Sequence, residues 1–483
     1  MGGSSKLIKE AEKTYKSLGL DNLPKELQRN SLYYYYLSVY PSLLQMTEID
    51  PKEVLKYPDL ITSAYLHIPF CSGVCSFCSY FLTTVEKSNV SPVEDYLSLV
   101  EKELKTHRKK TDIELSYLYV GGGTPSLIPF FVLEKFLTNL RAEGLIAEKI
   151  YGTLELHPEF FEDMENARNF IQVLKHFGIT RVSVGYQSSD KKLLDSTNRR
   201  HDTQFIEDAI VFLKEEGMLV NLDLMYGLPQ LSHQDWETTL NDAITLNPDS
   251  ISTYFLFVTP GTVMREDVKK GHITLPSHKK IQVQHIMAQV VLEKAGYLEL
   301  PNDFYAKVAG DPSEFRQHAL PADSKSLPIG AGSYGYFNNV QFFNQFSLKR
   351  YKDVVLANNS PAWREVELDS KASFHRDVMF SFKNSPSLER QLFFDRYNVD
   401  LVSFFKKIFE YLVEANLVEI SKERVCLTPK GRLLVEEIAM LFRDPRISNT
   451  DISNLSKQMQ KKLAKHNFAP TYPASSLSRR DET

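Results

Sequence analysis

The chain has 483 residues, 42% of them apolar and 24% charged, and a formal net charge of −4. These values suit a globular protein of two or three domains and argue against a strong electrostatic footprint for nucleic acid or a membrane surface. No apolar run reaches the ~18–20 residues that span a bilayer.

The opening residues, Met1-Gly2-Gly3-Ser4-Ser5-Lys6, carry no apolar signal segment and read as a flexible leader. Lys6 stands where a myristoylation start needs Ser or Thr. Residues 7–18 have mixed charge and suit a short helix. The aromatic run Leu32-Tyr33-Tyr34-Tyr35-Tyr36-Leu37 reads as a strand. Its tyrosines either pack against the next domain or line a substrate pocket.

Three of the four cysteines follow in one short stretch, Tyr65-Leu66-His67-Ile68-Pro69-Phe70-Cys71-Ser72-Gly73-Val74-Cys75-Ser76-Phe77-Cys78. The clustering argues against a disulfide framework and for a reducing, cytoplasmic setting. Three thiolates spaced C-x3-C-x2-C suit three irons of a [4Fe–4S] cube, with the fourth iron left open. Zinc is the rival, and a structural zinc site closes with four ligands; His67 or the distant Cys426 would have to be the fourth. The bland alternative is three unpaired thiols in a loop.

From residue 62 onward, short β-like runs alternate with amphipathic stretches. Strands are predicted at 63–68, 115–120, 151–156, 181–185, 219–225 and 250–257. Helices are predicted between them at 92–107, 130–142, 166–177, 203–216 and 234–246. Six alternations imply a parallel sheet with helical crossovers, in which functional groups collect at the C-terminal strand ends. The cysteine loop, Gly121-Gly122-Gly123-Thr124-Pro125, Glu155, Gln187 and Gly227-Leu228-Pro229 all fall at or just after such ends.

Residues 279–295 again show helical periodicity. Pro328-Ile329-Gly330-Ala331-Gly332-Ser333-Tyr334-Gly335 suggests close backbone approach, as a tight turn or as a contact with cofactor or substrate. Residues 404–416, 417–420, 425–427 and 430–441 read as helix, two short strands and helix, a winged-helix-like module. Without a basic stripe this module is not expected to bind DNA; a lid over the barrel mouth is expected instead. Cys426 sits in an apolar strand pattern and reads as a buried core thiol. The last forty residues are polar and read as a tail.

The string Y-x-H-I-P-F-C-x3-C-x-F-C, at Tyr65 to Cys78, resembles the start of the HemN-like radical S-adenosylmethionine (SAM) enzymes. The resemblance covers residues 62–340, and the C-terminal module more loosely. It implies an α/β fold, a partial (β/α)6 radical SAM barrel with a C-terminal winged-helix-like domain. The expected divisions are 1–61 for an N-terminal extension, 62–260 for the barrel, 261–359 for its extension, 360–445 for the C-terminal domain and 446–483 for a tail. It further implies a [4Fe–4S] cluster on Cys71, Cys75 and Cys78 and two SAM molecules. In the family the open iron chelates SAM, and an electron cleaves it to a 5′-deoxyadenosyl radical. An external one-electron donor of the flavodoxin or ferredoxin type is implied as partner, with a small-molecule substrate.

Tyr65 and Phe77 match positions near SAM. By the same resemblance Gly122 faces a first SAM, and Gly123 and Thr124 a second. Glu155, in Glu-Leu-His-Pro, matches an acidic residue that contacts SAM. Gln187 is carried over from an S-x-G-x-Q-S string and Arg199 from a G-R-x-H string, in which Asn198 replaces the glycine here. Asp223 matches as well; Arg199 and Asp223 suit the charged ends of a second SAM.

Three branches compete. Oxygen-independent coproporphyrinogen III oxidases carry a further cysteine where this chain has Tyr80. HemW-like haem chaperones carry H-N-x-x-Y-W after the barrel, where this chain reads Phe315-Arg316-Gln317-His318-Ala319-Leu320. The third branch, class C methyltransferases and cyclopropanases, moves a SAM-derived C1 unit to an sp2 carbon. With both second-SAM positions present and the other signatures missing, the expectation is this third branch, acting on a large apolar or tetrapyrrole substrate. His157, His201, His285 and His318 are potential haem ligands but read as structural.

Overall fold

The computed structural model describes residues 5–24, 27–29, 39–41, 43–50, 57–199, 204–259, 261–300, 303–307 and 326–447. The tyrosine run at 33–36, the segment 315–320, His201 and His318 lie outside these residues.

Nine strands form the main sheet: β1 (Leu60–Ile68), β2 (Asp112–Gly122), β3 (Ile146–Leu156), β4 (Arg181–Gln187), β5 (Leu219–Tyr226), β6 (Ser250–Phe255), β7 (Tyr297–Leu300), β8 (Phe304–Lys307) and β9 (Ser326–Ile329). Their spatial order is β7-β8-β6-β5-β4-β3-β2-β1-β9. β6 through β1 run parallel, and β9 adds a further parallel strand against β1, with Pro328 opposite Tyr65. β7 and β8 are antiparallel additions at the other edge. The fold is the expected α/β arrangement, with helices covering the sheet as parallel strands require.

The longer helices of this part are α1 (Lys6–Ser17), α2 (Ser91–Arg108), α3 (Phe130–Ala142), α4 (Met164–Phe177), α5 (Gln204–Glu215), α6 (His233–Leu246) and α7 (His278–Lys294). Each face toward the sheet is set by i, i+3, i+4 spacing; in α3 it is Val132, Leu133, Phe136, Leu137 and Leu140. Starts and stops follow local chemistry. Asp163 caps α4 by accepting from Asn166 N, and Gly178 ends it at φ +88°. Ser232 and Asp235 form a capping box on α6.

Beyond the sheet, β10 (Tyr334–Phe337), β11 (Val340–Asn344) and β12 (Ala362–Glu367) form an antiparallel sheet, completed by Thr47–Glu48. The turn from β9 to β10 is tight. Gly330 N donates to Glu103 Oε2 at 2.9 Å, and Ala331 N to the Tyr96 hydroxyl at 2.9 Å. At Gly332, φ is +79° and a Cβ would sit 2.6 Å from the Phe81 ring. The glycines here answer close packing within the protein.

The C-terminal module opens with α8 (Ser370–Asn384) and carries three strands rather than the expected two. β13 (Ser387–Glu389) pairs with β15 (Arg424–Leu427), which also pairs with β14 (Val418–Ile420). α9 (Lys406–Glu414) precedes the hairpin. The helix expected at 430–441 is broken into Pro429–Arg432 and α10 (Val435–Leu441). Cys426 is half-exposed on β15, not the core thiol that its apolar neighbours suggested.

A buried ionic cluster ties the N-terminal segment to both other parts. Arg29 Nε donates to Glu437 Oε1 on α10 at 3.0 Å, and Arg29 Nη1 lies 3.1 Å from His285 Nδ1. Tyr226, at the end of β5, donates to Asp303 Oδ2 at 2.9 Å, and Asp303 Oδ1 lies 2.7 Å from His285 Nε2. Among the described residues no helix is long and apolar enough to cross a membrane.

Candidate active site at the C-terminal strand ends

β1 ends at Ile68 and the chain passes through Pro69 and Phe70 into the cysteine loop. The glycine turn that follows β2 is stitched to this exit. Gly123 N donates to Ile68 O at 2.7 Å, and Thr124 N to Phe70 O at 2.7 Å. A Cβ on Gly123 would stand 2.5 Å from Phe70 O, so only glycine allows the approach. Gly122 has φ +115°, and a Cβ there would meet the His67 ring at 2.7 Å. The glycines therefore bring two chain segments together, and the turn's N–H groups are spent on protein partners.

Cys71 is buried, with Sγ 3.2 Å from Thr124 Oγ1. Burial pushes its thiol up to about 11, against the pull of Thr124. Burial also raises the Cys78 thiol, and the charges of Cys71 and Cys75 add to the effect. The raised Cys71 and Cys78 thiols call for a positive centre beside them if they are to ionise. His67 is not available as a fourth ligand. Its Nε2 is 2.7 Å from Phe81 O and its Nδ1 is 3.1 Å from the Tyr65 hydroxyl. A carbonyl only accepts, so Nε2 carries the proton and Nδ1 accepts from Tyr65. Burial holds this ring neutral, down to about 4. Among the described residues no three His, Cys, Asp or Glu side chains converge on one point. A cluster that takes one thiolate per iron fits this donor set.

Glu155, on β3, accepts from the Tyr119 hydroxyl at 2.9 Å and from Gly122 N at 3.1 Å. Burial and the nearby charge of Asp223 raise it to about 7. Asp223, on β5, accepts from the Ser183 hydroxyl at 3.0 Å and from Asn221 Nδ2 at 2.8 Å. Burial raises it to about 6, while Ser183, Arg181 and Arg199 oppose that rise. Arg199 Nη1 stands 3.7 Å from Cys75 Sγ, and Nη2 donates to Gly185 O. Gln187 has φ +66° at the bulged end of β4, and its buried Oε1 has no protein partner.

The structure thus joins Cys71 to Thr124, Gly122 to Glu155 and Arg199 to Cys75, and sets Glu155 and Asp223 within each other's field. The Tyr65 and Tyr119 rings meet at a tilt with 6.0 Å between centroids, and burial, with the charge of Glu155 adding to it, raises the Tyr65 phenol. Phe77 is half-buried and packs on the apolar core. His157 accepts from Glu159 N and begins a short helix, a structural role. Tyr119, Arg181, Asn221 and Ser183 were missed as site residues. Their signal is register: Tyr119 pairs with Tyr65 and with Thr153, two residues before Glu155.

Residues 65–243 match the family model described as the Radical SAM superfamily. The haem chaperone HemW of Bacillus subtilis is 26% identical over 385 residues, 79% of this chain and 98% of its own. An oxygen-independent coproporphyrinogen III oxidase of Salmonella typhimurium is 26% identical over 429 residues, 83% of this chain and 91% of its own. The solved coproporphyrinogen III oxidase of Escherichia coli matches the fold with TM-score 0.71 at 23% identity, over 86% of this chain and 99% of that one.

These relatives overturn the expected methyltransferase or cyclopropanase branch. That expectation rested on the presence of both second-SAM positions and on two missing local strings, at Tyr80 and at 315–320, whereas the similarity to oxidases and chaperones runs through four-fifths of the chain. Residues 65–243 thus match the Radical SAM superfamily model, the α/β fold is that of the solved oxidase, and a [4Fe–4S] cluster and SAM are the cofactors that go with this match.

Proposed function

We propose that the chain is an oxidative decarboxylase of the oxygen-independent coproporphyrinogen III oxidase type, acting on a propionate-bearing tetrapyrrole. The observation that carries this reading is the polar set beside the cysteine loop: Glu155, Asp223 and Gln187 on neighbouring strands, with Arg199 reaching in from the end of the short helix that follows Gln187. Holding a haem needs no such set. Similarity to the oxidases over 429 residues supports it.

Cys71, Cys75 and Cys78 hold three irons. When bound, the cluster and SAM together would supply an adenosyl radical that takes one hydrogen atom from a propionate side chain; loss of carbon dioxide, with one electron passed to a one-electron acceptor, then leaves a vinyl group. Gly122 would face a first SAM, and Gly123 and Thr124 a second, although the N–H groups of all three are already engaged by protein partners. Glu155 keeps the Gly122 turn in place and offers a carboxylate to the first SAM. Arg199 and Asp223 suit the carboxylate and ammonium of a second SAM, and Gln187 offers its free carbonyl there. The electron donor is of the flavodoxin or ferredoxin type.

The test is anaerobic incubation of reconstituted protein with reductant, SAM and coproporphyrinogen III. The expected result is 5′-deoxyadenosine together with product lighter by carbon dioxide and two hydrogens per propionate. A second reading, a haem chaperone, is favoured by the match over 98% of the Bacillus relative. Tight haem binding with no deoxyadenosine would establish that reading and end the first.

A further inference from the structure

Three consecutive residues after β4 meet three consecutive residues between the cluster cysteines. Ser76 N donates to Thr197 O at 2.8 Å, Asn198 Nδ2 donates to Val74 O at 2.7 Å, and Arg199 Nη1 stands 3.7 Å from Cys75 Sγ. The contacts to Val74 and Cys75 each span 124 positions. From another side, Met264 N donates to Ser76 O at 2.9 Å. Residues 72–80 have no regular structure of their own, so these are the partners that fix their path.

The platform is rigid. Thr197 is buried, and its hydroxyl donates to Leu194 O at 2.8 Å. Asn198 N donates to Asp195 O and Arg199 N to Leu194 O, both at 3.0 Å. All three residues are thereby locked onto the end of the short helix Lys191–Ser196, which Asp190 caps. Asn198 has φ +55°, a left-handed conformation that asparagine tolerates better than most side chains. Glycine would also adopt it, but glycine has no amide to give Val74.

We propose that Thr197, Asn198 and Arg199 form a clasp that preforms the cysteine loop before any cluster is bound. Asn198 is its positioning residue, and Arg199 supplies an N–H to the sulfur of Cys75. The clasp lowers the entropy lost when the loop closes on iron. Hydrogen bonds to ligand sulfur are among the factors that set a cluster's potential. Arg199 stabilises the more negative, reduced state, so its contact raises that potential.

Two variants isolate the clasp. Asn198→Gly keeps the backbone conformation and removes the amide. Asn198→Asp keeps the shape but turns an acceptor toward Val74 O. Amide hydrogen exchange on the full-length, iron-free protein tests preformation without reference to any reaction. Exchange at 74–78 is expected to accelerate about five- to tenfold in Asn198→Gly and more in Asn198→Asp, with the strands of the main sheet unchanged. In reconstituted protein, iron release to a chelator is expected to accelerate by a similar factor. Arg199→Leu is expected to move the cluster midpoint, read by EPR titration, to a more negative potential.

Parental exchange and parental iron release in both Asn198 variants would overturn the clasp. An unshifted midpoint in Arg199→Leu would overturn the contact to sulfur. If Asn198→Asp does not fold, Asn198→Gly, which buries no charge, decides alone. None of these readouts depends on which substrate the protein takes, so the clasp and the decarboxylase reading fail separately.

Discussion

The Tyr119 hydroxyl donates to Glu155 Oε1 at 2.9 Å from the adjacent strand, while the carboxylate's other oxygen holds Gly122 N at 3.1 Å. One acidic side chain is thus oriented by one strand and fixes the turn that leaves it. Tyr119→Phe removes a hydrogen bond to a charged group, worth about 1.5–3 kcal/mol in favour of the carboxylate. The ionisation of Glu155 is expected to move up by about one pH unit or more. SAM affinity, followed against pH by equilibrium dialysis, should rise with pH in the parent through about pH 7, and in the variant only in buffer at least about one unit more alkaline. An unchanged profile would mean that Tyr119 does not set this ionisation.

The same carboxylates make a prediction about stability. Glu155 is raised to about 7 and Asp223 to about 6, so both bind protons in the folded state at pH values where the unfolded chain has lost them. Stability then falls as pH rises, between the unfolded values near 4–4.5 and about pH 7. The pair titrates jointly, and the loss is on the order of a few kcal/mol. Ligand-free protein should melt lower at pH 7.5 than at pH 5.5. Glu155→Gln should flatten that slope, as thermal melts across the range would show.

Two glycines near the cysteines should behave oppositely. A methyl on Gly123 meets Phe70 O, whereas one on Gly73 meets nothing within 4 Å. Gly123→Ala forces apart the two exits that carry Cys71 and Thr124, and should cost about 1–3 kcal/mol together with most bound iron. Gly73→Ala should stay within about 0.5 kcal/mol of the parent, with full iron content. Metal analysis and denaturant melts on the two proteins separate crowding from mere change in the loop.

Arg29 is buried with Glu437, His285 and Asp303. Arg29→Met leaves carboxylates uncompensated and should cost about 3–5 kcal/mol. Adding Glu437→Leu should return part of that loss. Equal stability of the single and double variants would show that the two residues are not coupled.

Cys426→Ala should leave iron content unchanged, while alanine at Cys71, Cys75 or Cys78 should lose it. Cys426 lies on β15, opposite Ser387 and Glu419, in a sheet separate from the cysteine loop.

How far the sequence reveals the molecule depends on the range of the contact. β1 to β6 and the helices between them were legible because each is a local pattern of apolar spacing and end chemistry. α3 was predicted at its observed limits. β9 was hidden because Pro328 looks like loop, although an edge strand accepts a proline. The partners of β13 and of Thr47–Glu48 lie tens to hundreds of positions away, and nothing local encodes them. The site divides in the same way. Motif strings point to Glu155 and Asp223, but Tyr119 and Ser183 reach them from neighbouring strands, so only register reveals those two, while Asn221 sits two residues before Asp223 on its own strand. The branch was misjudged for a different reason: a few motif positions, present or absent, were weighed above likeness spread over four-fifths of the chain.

The Arg29–Glu437 contact has a consequence for how the protein is made. The two residues are 408 positions apart, and synthesis runs at about 5–20 residues per second. The guanidinium therefore emerges from the ribosome on the order of half a minute before its counter-charge does. The buried cluster of Arg29, Tyr226 and Asp303 lacks one of its carboxylates through that interval and is completed only as α10 is released.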